Sequence, residues 1–306
     1  MRVFVGVLIF LCVISFSLAY GLPLPMKGNY IYTQVDDTGT LGHGFSYPGI
    51  QYDPSGSGNF PGILGGTDFL KPGSPWEGFY ISTNQTGVVG NNNDNLLKIP
   101  GVVVYDLSSP YDNAVSWTGG YLSYFKVEID VYFNDDDQYI MFDTTITALT
   151  DLTDVEFLRT IDPDQDYYSY STFGTKNARG YGIISEEDWV YASGPYSNWT
   201  IGLYSNSSLT HNTGISYDWE TDPSFYLAGN DDGNGDNTIG IAFLIGDLNA
   251  GDSVSFSYAY VLGTDPADAA SHIPTGPSPV PEPASVLLVL VGLILGGGYV
   301  KISRKL

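Results

Sequence analysis

The chain has 306 residues, of which 34 are acidic and 11 are basic, and its formal net charge is −23 at pH 7. Proteins that bind nucleic acid need a basic surface for the phosphates, so this acidity excludes a nucleic-acid partner. The single cysteine, Cys12, lies in the apolar run at the N-terminus. A chain that has lost this run has no disulfides and no thiolate metal site.

Residues 1–19 are typical of a secretory signal peptide. Arg2 supplies a positive charge, residues 3–16 are almost entirely apolar, and Ser17-Leu18-Ala19 is a small-x-small cleavage pattern. We therefore expect export of the protein, with cleavage after Ala19. The alternative is an N-terminal membrane anchor, which the short length of the apolar run disfavours.

Residues 20–271 form the body of the chain, and several of its segments alternate between apolar and polar side chains. This period of two is typical of strands with one buried face. The clearest case is residues 121–149, where two alternating segments flank an acidic turn at residues 134–138. We predict a β-hairpin here.

A second hairpin is predicted near the end of the body. Residues 239–245 and 254–262 alternate in the same way, and residues 246–252 would form the loop between them. The segment 246–263 resembles the terminal hairpin of many secreted bacterial β-sandwich domains.

Further strands are expected at residues 30–35, 79–83, 101–107, 155–161, 189–192 and 199–204. Clusters of Gly, Asn, Asp and Pro separate them, as turns require, and the glycines at positions 65–66 and 87–90 are interpreted as loop residues. Residues 265–272 can form a single helical turn. The predicted fold class is therefore all-β, an antiparallel β-sandwich built as one large domain or two smaller ones.

Two acidic loops have the alternate spacing that calcium loops use for their first ligands. Asp162, Asp164 and Asp166 follow a predicted strand, and their carboxylates can converge on one hard cation. The structural alternative is a turn or a salt-bridge cluster, in which Arg159 pairs with one of these aspartates.

The second acidic loop is residues 230–237, where Asp232, Asn234 and Asp236 have the same spacing and glycines allow tight bends. Neither loop has the downstream acidic ligand of a full EF-hand, and the alternative here is a solvated loop. We regard calcium as a candidate cofactor at each loop separately. No other cofactor is indicated.

No catalytic residues are predicted. His43, His211 and His272 are far apart in the sequence and form no metal-spaced pair, and no phosphate-binding loop is found. Aromatic residues such as Trp76, and Tyr196 with Trp199, could stack on sugar rings, but a Trp in a β-sandwich more often packs in the core.

The C-terminus has three parts in a fixed order. Residues 272–283 form a Pro-rich tether that includes Pro281, Glu282 and Pro283, residues 284–300 lack any charge, and the tail 301–306 is basic. An apolar stretch of this length can just span a bilayer as a transmembrane helix, with the basic tail in the cytoplasm. The two prolines favour an extended conformation of the motif.

This arrangement closely resembles the PEP-CTERM sorting signal. The resemblance implies that an exosortase recognises Pro281, Glu282 and Pro283 at the inner membrane and cleaves nearby, after which the protein reaches the cell surface or the medium. It also implies a Gram-negative bacterium that makes exopolysaccharide or biofilm matrix. The tail here is less rich in arginine than is usual for the signal.

The sequence thus predicts an exported cell-surface or extracellular-matrix protein that is not an enzyme, associates with exopolysaccharide in a biofilm and is stabilised by calcium. The alternatives are a secreted polysaccharide-active enzyme, either a glycoside hydrolase or a lyase, and a carbohydrate-binding module. A glycosidase needs two carboxyl groups at a defined separation, which a sequence does not measure.

Overall fold

The computed structural model describes residues 22–44, 48–60, 68–70, 76–94 and 96–274. Four features predicted from the sequence lie outside these residues: the signal peptide with Ala19, the motif Pro281-Glu282-Pro283, the apolar segment 284–300 and the basic tail. Among the residues that are described, no helix has the length and apolarity needed to cross a bilayer.

The fold is all-β, as predicted: 50% of the described residues are strand and 6% are helix. The strands are β1 (Leu24–Lys27), β2 (Ile31–Val35), β3 (Ile50–Tyr52), β4 (Glu77–Thr83), β5 (Gly87–Asn92), β6 (Gly101–Tyr105), β7 (Asn113–Tyr121), β8 (Phe125–Phe133), β9 (Tyr139–Ala148), β10 (Leu152–Ile161), β11 (Lys176–Arg179), β12 (Trp189–Ser193), β13 (Thr200–Tyr204), β14 (His211–Ser216), β15 (Thr238–Leu248) and β16 (Ser253–Gly263).

The described helices are short: α1 (Tyr167–Tyr170), α2 (Pro223–Leu227) and α3 (Pro266–Ser271). Helix α3 confirms the predicted helical turn. Asp265 caps it by accepting hydrogen bonds from the backbone N–H groups of Ala267 and Asp268, and proline stands in its first turn, where no backbone N–H is needed.

The strands form three sheets in which neighbours pair antiparallel. The small sheet has the order β1-β2-β3, the middle sheet β14-β15-β10-β4-β5, and the large sheet β11-β12-β13-β16-β9-β8-β7-β6.

The middle and large sheets pack face to face through aromatic side chains. The ring of Phe157 on β10 lies 5.1 Å from that of Phe256 and 5.8 Å from that of Tyr258, both on β16. Phe79 on β4 meets Trp117 on β7 at 5.4 Å. Residues of the small sheet, such as Ile31, belong to the same buried cluster. Burial of this apolar surface stabilises the arrangement of the sheets.

The first predicted hairpin is confirmed. Strands β8 and β9 pair from Phe125↔Ala148 to Tyr132↔Met141, and the apolar positions predicted to face inward are fully buried. Tyr132 lies on the opposite face of β8 and is also buried, because its ring stacks on that of Tyr111 with centroids 4.2 Å apart.

The second predicted hairpin is wrong, although both of its strands exist. Strand β15 pairs with β10 and β14 in the middle sheet, whereas β16 pairs with β9 and β13 in the large sheet. The rings of Phe243 and Phe256 meet at 4.5 Å between the sheets. Alternation identifies a strand and its buried face, but a strand with one buried face fits equally well in either sheet.

The interpretation of residues 87–90 as a loop is also wrong, because they begin β5 and pair with β4. A Cβ atom at Gly90 would collide with the Phe79 carbonyl oxygen and the Tyr80 ring. Gly90 therefore allows β4 and β5 to approach closely and does not form a turn.

Arg159 pairs with Glu77 and not with the neighbouring aspartates, which corrects the alternative considered for the first acidic loop. Both side chains are fully buried between the sheets. Glu77 also accepts hydrogen bonds from the Leu41 N–H at 2.7 Å and from the Tyr260 hydroxyl at 3.0 Å. The guanidinium lies 4.5 Å from the centre of the Phe142 ring. The core thus holds a compensated ion pair.

Candidate metal centre

The two acidic loops meet because their strands are neighbours. Strand β10 ends at Ile161, which lies opposite Ile239 near the start of β15. In an antiparallel pair, the end of one strand and the start of the other lie at the same edge of the sheet. The loop after β10 and the loop before β15 therefore leave the middle sheet side by side.

Asp162, Asp164 and Asp236 converge at this edge. Each offers a carboxylate oxygen, and these oxygens lie within 4.8 Å of one another. Asp164 is buried, Asp162 is half-buried and Asp236 is exposed. The group therefore reaches from the protein interior to the solvent, from which a cation can enter. We refer to these three residues as the aspartate cluster.

The first loop is held in place by backbone hydrogen bonds to earlier segments of the chain. The Asp162 N–H donates to the Trp76 carbonyl at 2.6 Å, and the Asp164 N–H donates to the Phe69 carbonyl at 3.0 Å. Both Trp76 and Phe69 are fully buried. The two carboxylates are thus fixed on a backbone that is tied to the core.

The second loop is pinned to a different part of the molecule. Gly235 exchanges two backbone hydrogen bonds with Thr175, at 2.7 and 3.1 Å. Gly233 has φ +78°, a conformation that favours glycine, and its carbonyl accepts from the Asn237 side chain at 2.9 Å. Asp236 stands between these anchors, so its position depends on the turn and on the contact with Thr175.

Like charges in this setting resist ionisation. Burial, together with the charge of Asp236, raises the pKa of Asp162 to about 7. Burial also raises the pKa of Asp236 above its ordinary value. A divalent cation removes such repulsion and replaces lost hydration, and carboxylate oxygens are the ligands that calcium prefers. The arrangement suits a hard cation whose remaining ligands are carbonyl oxygens or water.

The other three predicted ligands are engaged elsewhere. Asp166 accepts hydrogen bonds from the backbone N–H groups of Tyr196 at 2.8 Å and Ser197 at 3.2 Å. Asp232 accepts from the Tyr217 N–H at 3.1 Å. Asn234 accepts from the Asn177 N–H at 2.7 Å. These three side chains bind backbone, and the two loops contribute to one cluster instead of forming two.

The sequence contains the signal for this convergence, but local spacing does not reveal it. Residues 155–161 and 239–245 are both predicted as strands, and each acidic loop adjoins the end of one of them. A prediction that residues 239–245 pair with residues 155–161, and not with residues 254–262, would have placed Asp162 beside Asp236. The incorrect hairpin therefore concealed the joint cluster.

The histidines occupy three separate places. His43 Nδ1 lies 2.6 Å from Asp36, His211 Nε2 lies 3.0 Å from Asp188, and His272 Nε2 lies 3.6 Å from Asp268. Each meets a different carboxylate, and none belongs to the aspartate cluster.

No protein-family model matches the chain. No curated protein matches it either.

Several solved structures resemble the chain. A bacterial glucoamylase complexed with acarbose is 12% identical with a TM-score of 0.50, and the match covers 83% of this chain and 34% of that chain. A TPR-domain containing protein from Parabacteroides distasonis is 12% identical with a TM-score of 0.45, covering 90% and 55%. An α-mannosidase from Enterococcus faecalis V583 is 11% identical with a TM-score of 0.43, covering 83% and 32%.

The chain spans about a third of the length of the glucoamylase and the mannosidase. At these identities the likeness concerns the fold alone.

Proposed function

We propose that this protein is an exported, non-enzymatic surface or matrix protein whose antiparallel β-sandwich is stabilised by calcium at the aspartate cluster. The observation that carries the calcium proposal is the convergence of Asp162, Asp164 and Asp236 from two loops that are far apart in sequence. A cation bound there links the end of β10 to the start of β15 and so joins distant parts of the chain. Such a link contributes stability whenever the cation is present.

The extracellular medium suits a site of this kind. Calcium modules outside the cell bind in the range of about 10⁻⁴ to 10⁻³ M, so three carboxylates need not give high affinity to be occupied. The formal charge of −23 adds a general attraction for cations. Export itself rests on residues 1–19 and on the sorting signal with Pro281, Glu282 and Pro283, through which an exosortase would process the protein.

The experiment is thermal unfolding of the purified protein in EDTA and then in millimolar calcium, with magnesium as the comparison cation. We expect calcium to raise the melting temperature by several degrees, since a calcium concentration of about ten times the dissociation constant contributes about 1.4 kcal/mol. Asp236→Asn should abolish the calcium response. Asp232→Asn is the matched control from the same loop and should retain it. An equal response in both variants, or none in the wild type, contradicts the proposal.

Association with a polysaccharide is the second part of the proposal, and one observation favours it. The rings of Tyr170 and Tyr196 stack with centroids 5.1 Å apart and are 51% and 65% exposed. Exposed aromatic rings can stack on sugars. Trp76, Trp117 and Trp189 are fully buried and are not available for this role.

Binding to purified exopolysaccharide, with reducing-end release measured in the same sample, separates three possibilities. Binding without release supports the matrix role, and loss of binding in a Tyr170→Ala/Tyr196→Ala variant would assign it to this pair of rings. Release of reducing ends would favour the alternative of a polysaccharide-active enzyme.

A further inference from the structure

Within the described part of the chain, the large sheet ends in a strand that carries no charge and in which three of five residues are exposed. Strand β6 has the sequence Gly-Val-Val-Val-Tyr and occupies the end of the sheet, next to β7. Val102 is 65% exposed and Val104 is 54% exposed, on the face of the sheet that points away from the core. Exposed edge strands usually carry a charge, a proline or a bulge that prevents pairing with another chain. Residues 101–105 carry neither a charge nor a proline.

The backbone of β6 is oriented for a further strand. The Pro100 carbonyl accepts from the Gly120 N–H at 3.2 Å, and the Asp106 N–H donates to the Ala114 carbonyl at 3.0 Å. In an antiparallel ladder, alternate residues direct both backbone groups to the same side. Positions 102 and 104 therefore bond to β7, and positions 101, 103 and 105 direct their N–H and C=O groups to the outer edge.

The opposite end of the same sheet is protected. Beside β11, Thr175 exchanges backbone hydrogen bonds with Gly235, and the Asn177 N–H donates to the Asn234 side chain at 2.7 Å. Strand β11 also carries Lys176 and Arg179. One edge is thus covered by a loop and charged, whereas the other presents outward-directed backbone groups and exposed valines.

We propose that β6 is an interaction surface that pairs antiparallel with β6 of a second copy of this protein. Alignment of residue 103 with its own counterpart pairs all five residues of the strand and sets position 102 opposite position 104. The charges at the ends of the strand favour this partner. Lys98, exposed, precedes β6 and Asp106 follows it. In the antiparallel arrangement the segment with Lys98 of one copy and Asp106 of the other copy lie at the same end of the paired strands, so opposite charges face each other at both ends.

The first test is the self-association of wild type and Val103→Pro, measured by sedimentation velocity over a range of concentrations. Pairing through one strand should give dimers in the micromolar to millimolar range, since the interface is small. Proline at position 103 removes an outward-directed N–H without removing a bond to β7, so the variant should stay folded and monomeric. Circular dichroism checks the fold. Wild type and Val103→Pro differ at one residue only. Association through any other segment would therefore be equal in both proteins and would not contribute to the difference between them.

The second test uses charge and does not depend on tolerance of proline. Val102→Lys/Val104→Lys sets like charges opposite each other in the dimer, whereas Val102→Lys/Val104→Glu sets opposite charges there. We expect dimerisation about tenfold weaker in the first variant and retained in the second.

A monomeric wild type overturns the proposal, and protection of the Val103 N–H from hydrogen exchange in that monomer would assign the edge to another segment of the same chain. Dimerisation that survives in a folded Val103→Pro variant also overturns it. Equal weakening of dimerisation in the two charge variants also overturns the proposal. Antiparallel pairing sets like charges opposite each other in one variant and opposite charges in the other, so their dimerisation must differ.

Discussion

Two sets of acidic side chains lie near the end of β10. One is Glu77, on the neighbouring strand β4 opposite Ile161, and the other is the aspartate cluster. Glu77 is fully buried beside Arg159, so its charge is balanced by a side chain of the same molecule. The aspartate cluster begins only three residues after Arg159, at Asp162, and brings together three groups of the same sign. Burial raises the pKa of Glu77 and that of Asp162, but only Glu77 faces a guanidinium.

The two sets differ in where their compensating positive charge comes from. A guanidinium stays protonated at any ordinary pH, so Glu77 has its counter-charge within the molecule and needs no cation from the medium. The aspartate cluster must instead take up protons or bind a cation from solution. The Glu77–Arg159 pair is therefore part of the packed core, whereas the stability of the aspartate cluster can change with calcium and with pH.

The largest effect is expected from breaking the internal pair. Arg159→Met leaves Glu77 buried without its counter-charge, and we expect the free energy of unfolding to fall by about 3–5 kcal/mol in urea denaturation. The double variant Arg159→Met/Glu77→Leu should recover much of this loss, since an apolar replacement of both partners removes the buried charge. A single variant that unfolds at the same urea concentration as wild type would contradict this account.

The next largest effect is expected from pH in the absence of calcium. The pKa of Asp162 is about 7 in the folded protein and 3.8 for an ordinary aspartate, so the folded state binds more protons between these values. Stability therefore decreases as pH rises through this window. In EDTA, acidification from pH 8 to pH 5 should raise the free energy of unfolding by about 2–3 kcal/mol.

Asp130 has a pKa raised to about 6 by burial and contributes to the same trend. The matched control is therefore Asp162→Asn, whose pH dependence should be flatter than that of wild type. Identical slopes for the two proteins would show that Asp162 is not the group that titrates.

A smaller effect is expected from removing one like charge at neutral pH. In EDTA, Asp162→Asn should unfold at a higher temperature than wild type, with a gain of about 1–2 kcal/mol, because one buried carboxylate is replaced by an uncharged amide. In millimolar calcium the order should reverse, since the variant lacks a ligand. Calorimetry in both buffers measures this reversal, and a variant that is less stable in both would argue against repulsion within the cluster.

The smallest effect is expected from loosening the second loop. Asn234→Ala removes the acceptor for the Asn177 N–H and should cost about 1 kcal/mol of stability. Calcium affinity should fall less than in Asp236→Asn, because the carboxylate remains while its position becomes less constrained. A loss of calcium binding as complete as in Asp236→Asn would mean that Asn234 is itself a ligand.

The strands that were predicted correctly are those in which alternation is strongest. In β8 the apolar set from Phe125 to Phe133 is buried without exception, because a strand with one buried face must repeat every second residue. Strand β5 was missed, because Gly87 and Gly90 resemble turn residues until the closeness of β4 is known.

The sequence by itself determined the all-β class, the first hairpin and the helical turn of α3, all of which depend on neighbours along the chain. It also contains the features at both ends on which the proposals of export and sorting depend. Only the tertiary structure decided that β15 and β16 belong to different sheets, that Arg159 meets Glu77, and that Asp162, Asp164 and Asp236 share one place. The physical reason is that alternation encodes which face of a strand is buried, whereas the choice of partner strand depends on the packing of the whole core.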